Sequence, residues 1–241
     1  MKYTRGDTVV AFEKLDFLQK RHAARYASLS RIQNSTNPSH DLMELAVKPI
    51  IELIASEHSR DFTIYGGPGN SSSEKYVLSV LCADARNYLT PSNFVDRNTY
   101  FFTAPPTYIL TRTIPALKLH NVPAERHHVA PEDPILFLDD FSQIPVSEWT
   151  SEEIKRVRNL IIRQRAHRSI EELRSAKAWS EELDLRFQKS WSKFVHQYLR
   201  WAISAGMPGP DGAETMSILG RKETLSRLKA ANDVITSVYN L

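Results

Sequence analysis

From Thr150 onward the chain holds a helical period to its last residues, and no other feature restricts its folds as strongly. Thr150 and Glu153 make a T-x-x-E pair that opens "EEIKRVRNLIIRQRAHRSIEEL", the pattern of a capping box ahead of a helix. In a second helix Leu183, Phe187, Trp191, Phe194, Tyr198 and Ala202 fall on one face. After the turn "AGMPGPDG" (205–212), Leu225, Leu228, Ala231, Ile235 and Val238 do the same in a third. Apolar stripes of this kind must be buried against other elements. Residues 150–241 therefore read as an all-helical region, and the aromatic row of the second helix reads as core packing rather than a base-stacking platform.

The residues before Thr150 read differently. Many of the 13 prolines cluster between Pro91 and Pro145, which favours loops and short strands. "FTIY" (62–65), "NTYFFT" (98–103), "TYILTRTI" (107–114) and "PILFLDD" (134–140) are strand candidates rich in β-formers. Helical spacing appears up to Ile32, in "DLMELAVKPIIELIASEHSRD" with a kink expected at Pro49, and through Leu78, Leu81, Cys82, Ala85 and Leu89 after a Ser71–Glu74 capping box. "KYVLSVLC" also suits a hairpin strand. Strands interleaved with helices predict an α/β (or α+β) middle domain over 40–149 with a partly parallel sheet. It is preceded by a basic helical segment, 1–39, and followed by the helical region, 150–241.

Cys82 is the only cysteine, so the chain can form neither an internal disulfide nor a Cys-rich zinc site, and a reducing compartment fits. The absence of a signal-like opening or a long apolar run predicts a soluble, intracellular and most simply cytoplasmic protein with no membrane partner. Lys and Arg exceed Asp and Glu by four in residues 1–40, fall short by six in 41–150 and exceed by five in 151–241. Basic flanks thus surround an acidic middle.

Two motifs carry the leading functional expectation. "IYGGPGNSSSEKY" (64–76) places a glycine loop between a strand candidate and a helix, where free N–H groups meet anions. Gly66, Gly67, Gly69, Asn70 and Ser71 are the candidate phosphate ligands. Asp139 and Asp140 close "PILFLDD", and two carboxylates at a strand end suit Mg²⁺ or sugar hydroxyls. A P-loop would require Gly-Lys-Ser/Thr where this chain has Ser71-Ser72-Ser73, so its clamping lysine is missing.

"ILFLDDFSQIPVS" resembles the signature of type I phosphoribosyltransferases, four apolar residues, two acidic ones and a phosphate loop. The resemblance spans roughly residues 41–150. It implies catalytic, metal-binding roles for Asp139 and Asp140, a phosphate contact at Ser147, and a phosphorylated nucleotide or sugar phosphate as ligand. Pro145 replaces the loop glycine and removes an N–H, which implies a degenerate, transferase-like binder with weak turnover. A surface turn and a strand end reaching water are the plain alternatives for the same residues.

A nucleic-acid- or protein-binding module is the other functional class. On "IKRVRNLIIRQRAHR" (154–168), Lys155, Arg158, Arg165 and Arg168 share a sector of about 140°, which would suit phosphates. Ile154 and Ile161 occupy the same sector, so packing with the arginines paired is the competing reading. His120, His127 and His128 show no metal-ligand spacing and read as surface loop. Cys82 reads as a buried structural thiol.

Overall fold

The computed structural model describes residues 2–3, 8–9, 42–57, 73–123, 127–175 and 180–241. Lys2–Tyr3 (β1) and Thr8–Val9 (β2) pair antiparallel, with Lys2 opposite Val9, so these four positions do not form the opening helix expected there. The rest of that segment lies outside the described residues, as do the strand candidate at 62–65 and the Ser71 cap. A π-turn, Met43–Val47, leads into α1 (Lys48–Glu57). Pro49 has no N–H to offer the preceding turn, and the Lys48 N–H reaches back five residues to the Met43 carbonyl. The irregularity expected at Pro49 is this one wide turn.

α2 (Ser73–Asp84) and α3 (Pro91–Arg97) follow, then α4 (Thr107–Arg112), α5 (Glu132–Ile135) and α6 (Phe137–Ser142). Short 3₁₀ turns at Ala85–Asn87, Thr99–Phe101 and Val146–Glu148 punctuate them. Three long helices complete the chain, α7 (Ser151–Ser175), α8 (Glu181–Ser204) and α9 (Gly212–Tyr239). Their starts are chemically marked: Thr150 accepts from the Glu153 N–H at 3.2 Å, Ser180 from Leu183 and Asp211 from Ala213.

The α/β expectation is corrected here, because among the described residues β1 and β2 are the only paired strands and the middle of the chain is helical. Residues 98–103 contain a 3₁₀ turn, 107–112 form α4, and 134–140 are divided between α5 and α6. The last case shows the cause. A short apolar run does not distinguish a buried strand from a helix. The residues actually buried are Pro134, Phe137, Phe141 and Ile144, spaced by three and four, while Leu136 within the run is exposed. In α4, β-branched residues are overruled by tertiary contacts: Leu110 is buried, and its carbonyl accepts from the Trp201 indole at 3.1 Å.

One hydrophobic cluster runs from Ala46 to Ile235. α7, α8 and α9 pack on one another, and α9 also touches α2, α4, α5 and α6. The aromatic row of α8 lies inside it, with Phe187, Trp191, Phe194 and Tyr198 all buried. Buried polar groups tie the layers: Arg227 donates to the Tyr100 and Ile203 carbonyls at 2.7 and 2.8 Å, and Asp84 accepts from Arg97, Asn98 and Asn87 at 2.6–3.1 Å. α9 kinks at Gly220, whose φ of 79° favours glycine. Cys82 is exposed, against the buried thiol expected. Among the described residues no helix is long and apolar enough to cross a membrane.

Candidate nucleic-acid interface

Asp139 and Asp140 lie on α6 rather than at a strand end. Neighbouring helical positions point about 100° apart, so their carboxylates diverge. Asp139 is exposed and Asp140 half-buried. Burial pushes the Asp140 carboxyl above the usual range, Asp139 pushes it further, and Arg165 opposes both. Ser147 is exposed in the turn that follows Pro145. Gly66, Gly67, Gly69, Asn70 and Ser71 lie outside the described residues. No crevice at the ends of parallel strands is built from Asp139, Asp140 and Ser147.

The α7 cations divide by depth. Arg165 is buried, donates to Asp133 at 2.5 Å and stacks its guanidinium 5.8 Å from the centre of the Phe137 ring. Arg158 is buried and reaches Asp211 at 3.5 Å. Lys155 is half-buried, while Arg168 is exposed with Asp133 4.0 Å away. Of the four cations expected to face phosphates, Arg158 and Arg165 are thus buried beside carboxylates, while Lys155 and Arg168 reach solvent.

α8 presents the opposite case. After Asp184 it contains no carboxylate through Ser204. Arg186, Lys189, Lys193, His196 and Arg200 fall in a sector of about 80° on a wheel of ~100° per residue. That sector lies opposite the buried aromatic row. Lys189 and Lys193 are exposed, and among the described residues neither has an ion-pair partner. Arg186 pairs with Glu182 on its own helix.

Arg186, Lys189 and Lys193 of the stripe line a cleft of about 800 Å³ together with His120, Asn121, Val122 and Pro123, which form its wall. The wall is held in place: Ser190 Oγ accepts from the His120 N–H at 2.8 Å and donates to the His120 carbonyl at 2.6 Å. Asn121 turns the wall with φ of 59°. Lys189 also edges a groove shared with Asn159 and Arg163 of α7. Lys189 and Lys193 are residues the sequence reading passed over. Their signal was present, a cation every three or four residues on the polar side of an amphipathic helix with no acid between them.

A second cleft, of about 550 Å³, continues from His120 toward the start of α9 and contains Arg158, His196, Arg200, Asp211 and Gly212. Desolvation by its walls holds His196 below the ordinary histidine range, helped by Arg158 and Arg200 and opposed by Asp211. Burial alone would raise Asp211. The Ala213 N–H, Arg158 and Lys155 together outweigh it and leave the carboxyl low. Among the described residues no group of three or more His, Cys, Asp or Glu is placed to hold a metal ion.

Comparison with known proteins bears on this face. The family model of the anticodon binding domain matches residues 167–232, which take in the end of α7, all of α8 and most of α9. A solved glutamate tRNA ligase from Elizabethkingia meningosepticum, in complex with its amino acid, is 16% identical, with a TM-score of 0.48. The match covers 87% of this chain and 31% of the ligase, so the chain spans less than a third of that protein's length. No curated protein matches the chain. The phosphoribosyltransferase resemblance is corrected by the family match and by the helical state of 134–140, and with it the small phosphorylated ligand and the transferase-like, nucleotide-binding role.

Proposed function

We propose that this chain binds RNA of the transfer-RNA class through the cationic face of α8. One observation carries the reading: a stripe of cations, free of carboxylates from Arg186 to Ser204, lies within the segment that matches the anticodon binding domain. Exposed lysines without carboxylate partners suit phosphates, because each contact releases counterions from the nucleic acid. The wall at 120–123 gives the stripe a concave form, which suits a folded strand better than a flat surface would. Arg163 across the neighbouring groove extends the positive field onto α7.

Such contacts position an RNA rather than read its bases. The reading concerns binding and assigns no reaction. It carries an intracellular location with it, since that is where transfer RNA is found. Fluorescence anisotropy with a labelled transfer-RNA transcript tests it, against duplex DNA of equal length as competitor. The expected result is salt-sensitive binding that the transcript competes away more efficiently than the duplex does. Absence of binding at ~50 mM salt, where phosphate contacts are strongest, refutes the reading.

A further inference from the structure

We propose that the 550 Å³ cleft between α8 and the start of α9 is a binding site for a phosphate group, held by Arg158, Arg200, His196 and the first N–H groups of α9. The identification of that phosphate with the RNA backbone rests on the function proposed above. The site itself does not.

Arg158 is the central observation. Its side chain is buried, its contact with Asp211 is a long 3.5 Å, and its Nε has no hydrogen-bond partner among the described residues. A charge-assisted pair closes to ~2.7–2.9 Å, so Asp211 satisfies this guanidinium only in part. Arg200 repeats the pattern: it donates to the Pro210 carbonyl, while its Nη1 has no partner among the described residues. Buried polar hydrogens without acceptors are expensive. The two unpaired nitrogens themselves have no exposed surface, so it is the remainder of each guanidinium that borders the cleft, where Asp211 is the one carboxylate among the lining residues.

The start of α9 adds donors of its own. A helix opens with N–H groups that its own turns cannot satisfy, at the positive end of its dipole. Asp211 takes the one from Ala213, at 3.0 Å. A Cβ added at Gly212 would meet nothing within 4 Å, so an anion has clear approach to this backbone. Charge agrees: Arg158 and nearby Lys155 from α7 and Arg200 from α8 face a single carboxylate, Asp211, with His196, whose pKa burial holds low, beside them. A phosphate presents several acceptor oxygens to these donors, which one carboxylate already bound to its own helix cannot do.

The test uses the full chain and inorganic phosphate, titrated against sodium chloride at equal ionic strength, with the His196 imidazole followed by NMR. Phosphate bound beside His196 raises the low pKa of that ring, whereas chloride leaves it unchanged. Asp211→Asn keeps an N-cap and removes the competing charge, so it tightens phosphate binding several-fold. Arg200→Gln weakens it by roughly tenfold, the loss of one charge-assisted bond. If His196 responds to both salts alike, or Asp211→Asn leaves phosphate affinity unchanged, the site does not exist, even where RNA still binds through Lys189 and Lys193. If phosphate moves His196 in a chain that binds no RNA, the site stands and the RNA reading fails. Where both bind, a parallel loss of RNA affinity in Arg200→Gln supports the site with an RNA phosphate as occupant. Unchanged RNA affinity supports it with a small phosphoanion instead.

Discussion

Replacing Lys189 and Lys193 together by Gln removes the two cations best placed to meet phosphates and touches nothing else that the fold uses. Both side chains are exposed and without ion-pair partners among the described residues, so stability should stay within about 0.5 kcal/mol of wild type. Four residues apart, they stand ~6 Å from each other along the helix axis, on one face. If each neutralises one phosphate, the slope of log K against log salt becomes shallower by about 1.4 on single-stranded RNA, or about 1.8 on a duplex stem. Between 50 and 200 mM salt the wild type then loses roughly 7- to 12-fold more affinity than the variant. Anisotropy titrations at four or five salt concentrations measure the slope directly. Lys48→Gln serves as the control, because Lys48 at the start of α1 pairs with Glu44 of the π-turn, and α1 packs on that turn, α2 and α3. A double variant whose slope stays within half a unit of wild type, or a control that shifts as much, refutes the assignment of this face.

Two further substitutions test the fold around the site. Gly209→Ala should destabilise the chain by ~1–3 kcal/mol in urea unfolding, since the new Cβ would sit 1.8 Å from the hydroxyl oxygen of buried Tyr100 and 2.9 Å from its Cζ. Adding Tyr100→Phe should recover part of that loss, and a Gly209→Ala variant as stable as wild type would show that the approach is looser than described. Asp140→Asn tests the raised carboxyl: a folded-state pKa above the unfolded one favours the fold at low pH and loses that contribution as pH rises through it. The Asn variant should therefore match wild type near pH 3 and melt no lower, or higher, at pH 7, and a lower melting temperature at pH 7 would contradict the burial that causes the shift.

How legible the molecule was depends on how long each pattern runs. α7, α8 and α9 follow periods that continue through many turns and begin at side chains able to cap, Thr150, Ser180 and Asp211, so local and tertiary preferences agree. In the middle of the chain each element lasts one or two turns, too short for a period to establish itself. There the β-branched content of Thr107–Arg112 and the unbroken apolar run before Asp139 outweighed the three-and-four spacing of Pro134, Phe137, Phe141 and Ile144 that the core actually uses.

The basic residues sort by the same rule. A helical sector has one environment, so a cation that shares its sector with buried aliphatic residues must follow them inward and find an acid. Arg158 and Arg165 share theirs with Ile154 and Ile161, all four buried, and each arginine faces a carboxylate, Asp211 or Asp133. Lys189 and Lys193 lie across α8 from Phe187, Trp191, Phe194 and Tyr198, so the packing that buries the aromatic row is what turns those two lysines to solvent. Density of positive charge pointed to α7, while the side of the helix on which the charge stands points to α8. The intermediate case is Arg158, inside the sector yet only loosely matched by Asp211, and it is there that the cleft beside α9 opens.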